Sequence, residues 1–69
     1  MLRNLNAEQA RADLSNQEVA SILGMSRVTY EKKKNTGNFT RSEIAKLLNL
    51  FKCKFEYLFA MDGEEQQAS

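Results

Sequence analysis

The chain of 69 residues contains no histidine, no proline and a single cysteine. Without histidine, the common zinc ligand sets and the His-centred catalytic dyads and triads are excluded. One cysteine cannot form an internal disulfide, and we expect Cys53 in the core because cysteine is among the most buried residue types. We therefore predict a protein that is not an enzyme, with no catalytic residues, no metal and no cofactor.

Long apolar runs are also missing. No stretch approaches the ~18 apolar residues that span a bilayer, and the N-terminus lacks the hydrophobic segment of a secretory signal. We expect a cytoplasmic protein with no membrane partner. The chain length suits one small domain, which we place at residues 1–61, followed by an acidic flexible tail at 62–69.

The net charge is only +1, but the charges are unevenly distributed. Residues 27–54 carry eight lysines and arginines against two glutamates, a net charge of +6, whereas the remaining residues carry two against seven, a net charge of −5. A molecule divided in this way can present a basic face to a polyanion. A solvated surface is the commoner explanation of a charge run, so the charge alone decides nothing.

Apolar residues recur at helical spacing, which predicts an all-α domain of five short helices. The first helix is capped by Asn4 or Asn6 and runs to about Asp13, with Leu5 and Ala10 facing inward. The second is capped by Ser15 or Asn16. Its predicted inner face consists of Val19, Ile22 and Leu23, and Gly24 ends it because glycine accepts a positive φ.

The third helix is predicted to run from its cap, Ser26, to about Lys34. Thr40 and Glu43 form a capping box ahead of the strongest amphipathic pattern, and a short final helix follows. The apolar stripes of these two helices are Ile44, Leu47, Leu48, Phe51, and then Phe55, Leu58 and Phe59. We assign the aromatic residues to packing rather than to base stacking: Tyr30, Phe39, Phe51, Phe55 and Phe59.

Residues 16–33 have the spacing of a DNA-binding helix-turn-helix. Apolar residues would pack the two helices together, Ala20 would allow their close approach, and Gly24 would make the turn. With Tyr30 facing inward, Val28 and Lys32 lie on the opposite face of the third helix. We predict that Arg27, Val28 and Lys32 contact base edges: Arg27 can donate two hydrogen bonds to guanine, and Val28 can contact a thymine methyl.

A second set of polar residues suits the DNA phosphates. The start of the second helix favours an anion, the lysines supply positive charge, and the loop after the third helix is rich in small donors. We expect Lys33 and Lys34 to pack their methylene stems while their ammonium groups reach outward. The predicted phosphate-binding residues are Asn16, Gln17, Thr29, Lys33, Lys34, Asn35 and Asn38.

The segments LSNQEVASILGMSRVTYEKK, NFTRSEIAKLLNLF and FEYLF resemble the lambda-repressor/Cro family of helix-turn-helix proteins. Within it, the chain looks most like the Cro-like modulators of repression of lactococcal temperate phages. The resemblance implies a five-helix lambda-repressor-like domain whose third helix enters the major groove of an operator. It also implies a role in the choice between lysis and lysogeny, inside a bacterial host cell.

The resemblance leaves the partner open. Modulators of repression also bind the phage's own repressor, so an antirepressor with weak DNA binding is the alternative function. A homodimer on DNA fits the usual pair of half-sites, and an antitoxin or scaffold with the same fold is a further alternative. The chain departs from the family pattern at Lys33 and Lys34, where an apolar residue usually packs. It departs again at Lys52 and Lys54, where a glycine and a serine cap commonly join the last two helices.

Overall fold

The computed structural model describes residues 1–60, and these form five α-helices with no strand among them. The helices are α1 (Arg3–Arg11), α2 (Asn16–Leu23), α3 (Arg27–Thr36), α4 (Arg41–Phe51) and α5 (Phe55–Leu58). The predicted all-α class is therefore confirmed. The predicted tail, 62–69, lies outside the described residues.

Two capping boxes begin α2 and α4. The hydroxyl of Ser15 accepts from the N–H of Glu18 at 3.1 Å, and the Glu18 carboxylate accepts from the N–H of Ser15 at 2.8 Å. Thr40 and Glu43 repeat this exchange at 3.2 and 2.9 Å. Each box satisfies two backbone donors that a helix start otherwise leaves unpaired. Of the two caps predicted for α2, Ser15 is the one found.

The start of α1 differs from the prediction. The helix begins at Arg3 with Leu2 at the N-cap and no side-chain cap, because Asn4 and Asn6 make tertiary contacts instead. The Asn4 amide donates to the backbone carbonyl of Tyr57 at 2.8 Å, which ties α1 to α5. The inward residues of this segment are Leu2, Leu5 and Gln9, whereas Ala10 is exposed.

The core forms where α2 packs against α3 and where α5 closes over α1 and α4. Tyr30 is fully buried at its centre, and its ring lies 6.1 Å from that of Phe39. The other buried apolar residues are Leu2, Leu5, Val19, Ala20, Leu23, Leu47 and Leu58.

Several residues predicted to pack in the core are only partly covered, among them Phe51 and Phe59, which are half-buried. Ile22 is 46% exposed and Phe55 is 50% exposed, while Cys53 is half-buried. The spacing of apolar residues predicted which face of a helix is apolar, but not how far the neighbouring helices cover that face, and α5 is only four residues long. None of the helices within residues 1–60 has the length and apolar character needed to cross a membrane.

Candidate nucleic-acid interface

A three-residue turn, 24–26, joins α2 to α3. Gly24 adopts a left-handed conformation with φ of 77°, which reverses the chain immediately after α2. The N–H of Met25 donates to the carbonyl of Ala20 at 2.9 Å, and Ser26 then caps α3 by accepting from the N–H of Thr29 at 3.2 Å. The turn chemistry predicted at Gly24 and Ser26 is confirmed, and it fixes the direction of α3.

The outer face of α3 is open to solvent. Val28 is 53% exposed, and Lys32 and Asn35, one and two turns further along the same face, are exposed as well. Thr29 is exposed beside them, although its hydroxyl accepts from the hydroxyl of Ser26 at 2.9 Å. The helix runs to Thr36, two residues beyond its predicted end, and Gly37 closes it in a left-handed conformation.

Arg27 forms an ion pair with Glu31 at the edge of this face. One terminal nitrogen, Nη1, lies 2.7 Å from Glu31 Oε2, and about half of the arginine side chain remains exposed. The hydrogen bonds from Arg27 and from the Asn16 amide lower the pKa of Glu31. The structure thus places the predicted base-contacting residues together but adds a carboxylate next to one of them.

Lys34 is buried, contrary to the expectation that its ammonium group reaches outward. Its Nζ donates to Asn16 Oδ1 at 2.7 Å, to Asn6 Oδ1 at 2.9 Å and to Gln9 Oε1 at 3.3 Å. It also lies 5.2 Å from the centre of the Tyr30 ring, a distance suited to a cation–π contact. Burial lowers the pKa of Lys34. Amide oxygens from α1 and α2 replace water around the ammonium, so it is withdrawn from any phosphate.

Lys33 is also engaged within the protein. Its Nζ donates to both carboxylate oxygens of Glu43, at 2.8 and 3.1 Å, and links α3 to the start of α4. Desolvation tends to raise the pKa of Glu43, but the hydrogen bonds from Lys33 and from the N–H of Thr40 outweigh it and lower that pKa. A phosphate would have to compete with Glu43 for the Lys33 ammonium.

The start of α2 offers backbone donors rather than the predicted Asn16 side chain. Both ends of the Asn16 amide are used: its Oδ1 accepts from Lys34 and Gln9, and its Nδ2 donates to Glu31 at 3.0 Å. The first N–H groups of a helix lack intrahelical acceptors, and Ser15 satisfies only that of Glu18. Those of Asn16 and Gln17 face the helix N-terminus, where the dipole favours an anion.

Two exposed amides lie at the end of α3 and just after it: Asn35 in its last turn and Asn38 in the following loop. The N–H of Asn38 donates to the Thr36 hydroxyl at 3.3 Å, which leaves the side chain of Asn38 at the surface. Asn38 lies in the loop as predicted, whereas Asn35 lies within the last turn of α3 and not in the loop, and the proposed phosphate contacts of both stay predictions.

Three residues that sequence reasoning did not assign to the candidate site take part in this region: Glu31, Gln9 and Asn6, the last predicted only as a helix cap. The pairing of Glu31 with Arg27 could have been predicted, since the two residues are four positions apart on one helix. Asn6 and Gln9 gave no local signal, because their partner Lys34 is 28 and 25 residues away. Gln9 also accepts from the hydroxyl of Tyr30 at 2.8 Å, and burial raises the pKa of that hydroxyl.

No protein-family model, no curated protein and no solved structure matches this chain. Among residues 1–60, no cluster of three or more histidine, cysteine, aspartate or glutamate side chains could hold a metal ion.

Proposed function

We propose that the protein is a sequence-specific DNA-binding regulator that inserts α3 into the major groove of duplex DNA. The observation that carries the proposal is the exposed face of α3, which combines a guanidinium at Arg27, an aliphatic group at Val28 and an ammonium at Lys32. These three groups match the acceptors of guanine, the thymine methyl and the phosphate or base oxygens of the groove. The tight turn before α3 supports the same conclusion.

The charge at the start of α3 supports an anionic partner. The neighbouring helices α2 and α4 each carry a glutamate in the first turn, Glu18 and Glu43, which complements the positive end of a helix dipole. Neither α1 nor α3 has an acidic residue in its first turn, and they begin with Arg3 and Arg27, but only α3 follows the tight turn after α2. A cation at that end weakens the isolated helix, but it favours contact with DNA.

The phosphate-binding set proposed from the structure is smaller than the one predicted from the sequence. It consists of the backbone N–H groups of Asn16 and Gln17 with the side chains of Gln17, Thr29, Asn35 and Asn38. Lys34 is excluded by its burial, and Lys33 joins only if it leaves Glu43. We therefore expect binding to depend less on salt than the lysine-rich sequence suggests.

Selection from a library of duplexes with a randomised central segment tests this proposal. We expect enrichment of a defined motif, in two symmetric copies about one helical turn apart if the protein binds as a homodimer. Fluorescence anisotropy with the enriched duplex should then show log affinity falling with log salt by about 0.9 per phosphate contacted. Failure to enrich any motif, with no binding to duplex DNA at low salt, would contradict the proposal.

Arg27→Ala is the most informative variant. It should lose roughly 1–3 kcal/mol on the enriched duplex and relax preference at one base pair, because a bidentate arginine–guanine contact is lost. Arg11→Ala is the matched control, since Arg11 pairs with Glu8 at 2.9 Å on α1, outside the helix-turn-helix. Equal losses for the two variants would show that only net charge matters.

The exposure of Ile22 favours a second candidate function. This aliphatic side chain on α2 is 46% exposed, and DNA phosphates offer it nothing. The buried centre of a protein interface is apolar, so an exposed aliphatic group suits a protein partner. The family resemblance suggests the repressor of a temperate phage, on which this protein would act as an antirepressor. Co-elution with such a repressor in size-exclusion chromatography, abolished by Ile22→Ser while DNA affinity is kept, would support this function.

A further inference from the structure

Glu31 accepts two hydrogen bonds at the same oxygen. Arg27 Nη1 lies 2.7 Å from Glu31 Oε2, and Asn16 Nδ2 lies 3.0 Å from it. Asn16 Oδ1 in turn accepts a hydrogen bond from the buried ammonium of Lys34 at 2.7 Å. A continuous path of hydrogen bonds therefore runs from the interior of the domain to the guanidinium at the surface.

This path determines which way each group points. The Asn16 amide has one acceptor and one donor end, and Lys34 and Gln9 both donate to the acceptor end, so the donor end must face Glu31. The carboxylate of Glu31 is thereby held by α2 as well as by its own helix. Arg27 pairs with an acceptor whose position is set by a buried cation, not with a mobile surface group.

Helix stability does not account for the pair. An arginine four residues before a glutamate is the less favourable order for a pair on a helix, and Arg27 also stands at the positive end of the dipole. The order Glu then Arg would serve the helix better on both counts. The arrangement therefore fits a requirement on the position of the guanidinium.

The guanidinium has donors to spare for DNA. It carries five N–H groups, and the contact with Glu31 occupies its Nη1. One edge can stay on the carboxylate while the other donates to the two acceptors of guanine. Fixing the side chain before DNA arrives reduces the conformational entropy that binding must remove.

We propose that Glu31 is a positioning residue that orients Arg27 and so determines discrimination for guanine. This inference rests on the proposed DNA-binding function and deepens it. The carboxylate also repels phosphates, so it lowers affinity for unrelated sequences while it supports the correct one. Removing it should change the two affinities in opposite directions.

The test measures anisotropy of Glu31→Ala on two probes: the duplex enriched by the wild-type protein, and a duplex of scrambled sequence. We expect binding to the scrambled duplex to strengthen and the ratio of the two affinities to fall roughly tenfold, the size of a partly lost bidentate contact. Glu31→Gln, which keeps an acceptor oxygen but not the charge, should lose less of this ratio. Glu8→Ala, which removes an equal charge, an ion pair on α1 and a hydrogen bond from the Tyr57 hydroxyl, should keep the ratio.

A double-mutant cycle separates positioning from a general effect on the fold. In an Arg27→Ala background, Glu31→Ala should no longer change the ratio, because there is no guanidinium left to orient. Relaxation of the Arg27 Nε–Hε group in NMR spectra of the free protein should show an ordered side chain in the wild type and a mobile one in Glu31→Ala.

Two results distinguish failure of the inference from failure of the function beneath it. The positioning role is overturned, and DNA binding stands, if the wild type selects a motif but Glu31→Ala leaves the ratio of the two affinities unchanged. The same conclusion follows if Glu31→Ala lowers this ratio equally in the wild type and in the Arg27→Ala background. If the wild type binds no duplex at all, the proposed function falls and this inference falls with it.

Discussion

Two turns in this molecule begin and end with the same backbone conformations but use different residues. Residues 24–26 join α2 to α3, and residues 52–54 join α4 to α5. The first residue of each is left-handed, with φ of 77° at Gly24 and 54° at Lys52. The third residue of each is an extended N-cap, with φ and ψ of −76° and 158° at Ser26 and −78° and 149° at Lys54.

The difference lies in how well the residues suit that conformation. Gly24 carries no Cβ penalty and Ser26 caps α3 with its hydroxyl, whereas Lys52 bears a left-handed strain and Lys54 makes no side-chain cap. The turn that sets the direction of α3 is thus built from stabilising residues, and the turn before α5 is not. The direction of α3, the proposed recognition helix, is therefore fixed by residues that suit the turn better than those before α5.

The first turn should lose its advantage when it is given the residues of the second. Gly24→Lys combined with Ser26→Lys should destabilise the protein by roughly 2–3 kcal/mol, the sum of a left-handed non-glycine residue and a lost N-cap. A Cβ at Gly24 would meet nothing within 4 Å, so the cost is one of backbone conformation and not of collision. Urea denaturation measures the change, with Ser21→Lys on the exposed face of α2 as the control for added charge. A loss no larger than that of the control would contradict the assignment.

The converse change improves the second turn. Lys52→Gly should stabilise the protein by about 1 kcal/mol, because glycine relieves the positive φ but adds freedom to the unfolded chain. Lys46→Gly is the matched control, within the helix α4 that Lys52 terminates. At this exposed interior position, glycine should lower the free energy of unfolding by about 1 kcal/mol. Melting temperatures that shift in the same direction for both variants would refute this explanation of Lys52.

The parts of the fold predicted from sequence are those that depend on near neighbours. The predicted capping box of Thr40 with Glu43 involves residues three apart, and the left-handed turn at Gly24 follows from one residue, whereas α2 was predicted only to be capped by Ser15 or Asn16. Such features can be predicted because the groups that interact lie within one helical turn of each other in the sequence. The five helices were predicted for the same reason.

The burial of Lys34 could not be predicted in this way. Its acceptors lie on α1 and α2, 18 to 28 residues away in sequence, and a lysine is ordinarily exposed. The exposure of Ile22 depends likewise on which neighbours cover α2. In the candidate site, helical periodicity predicted the exposed face of α3. The hydrogen bond from Asn16 to Glu31 could not be predicted, because it depends on how α2 packs against α3.

A single hydroxyl should improve the second turn further. Lys54→Ser should add about 0.5–1 kcal/mol to the free energy of unfolding, because a serine at this position can accept from the N–H of residue 56 or 57 as Ser26 does for α3. Lys54→Ala removes the same charge without supplying an acceptor. Equal stability of the serine and alanine variants in urea would show that α5 gains nothing from a cap.

The smallest expected effect is the response of the first turn to acid. Glu31 bridges α2 and α3 by accepting from Asn16. The hydrogen bond from Arg27, and to a smaller extent that from Asn16, lowers the pKa of Glu31 below the ordinary value of 4.5. The folded state therefore binds this proton less readily than the unfolded state. The stabilisation from Glu31 is present above pH 4.5 and is lost as the pH falls through the folded value. Urea titrations of the wild type and Glu31→Gln between pH 3 and pH 6, read as the difference between the two curves, isolate this contribution. The difference should shrink as the pH falls, and a constant difference would mean that the bridge across the first turn does not depend on the charge of Glu31.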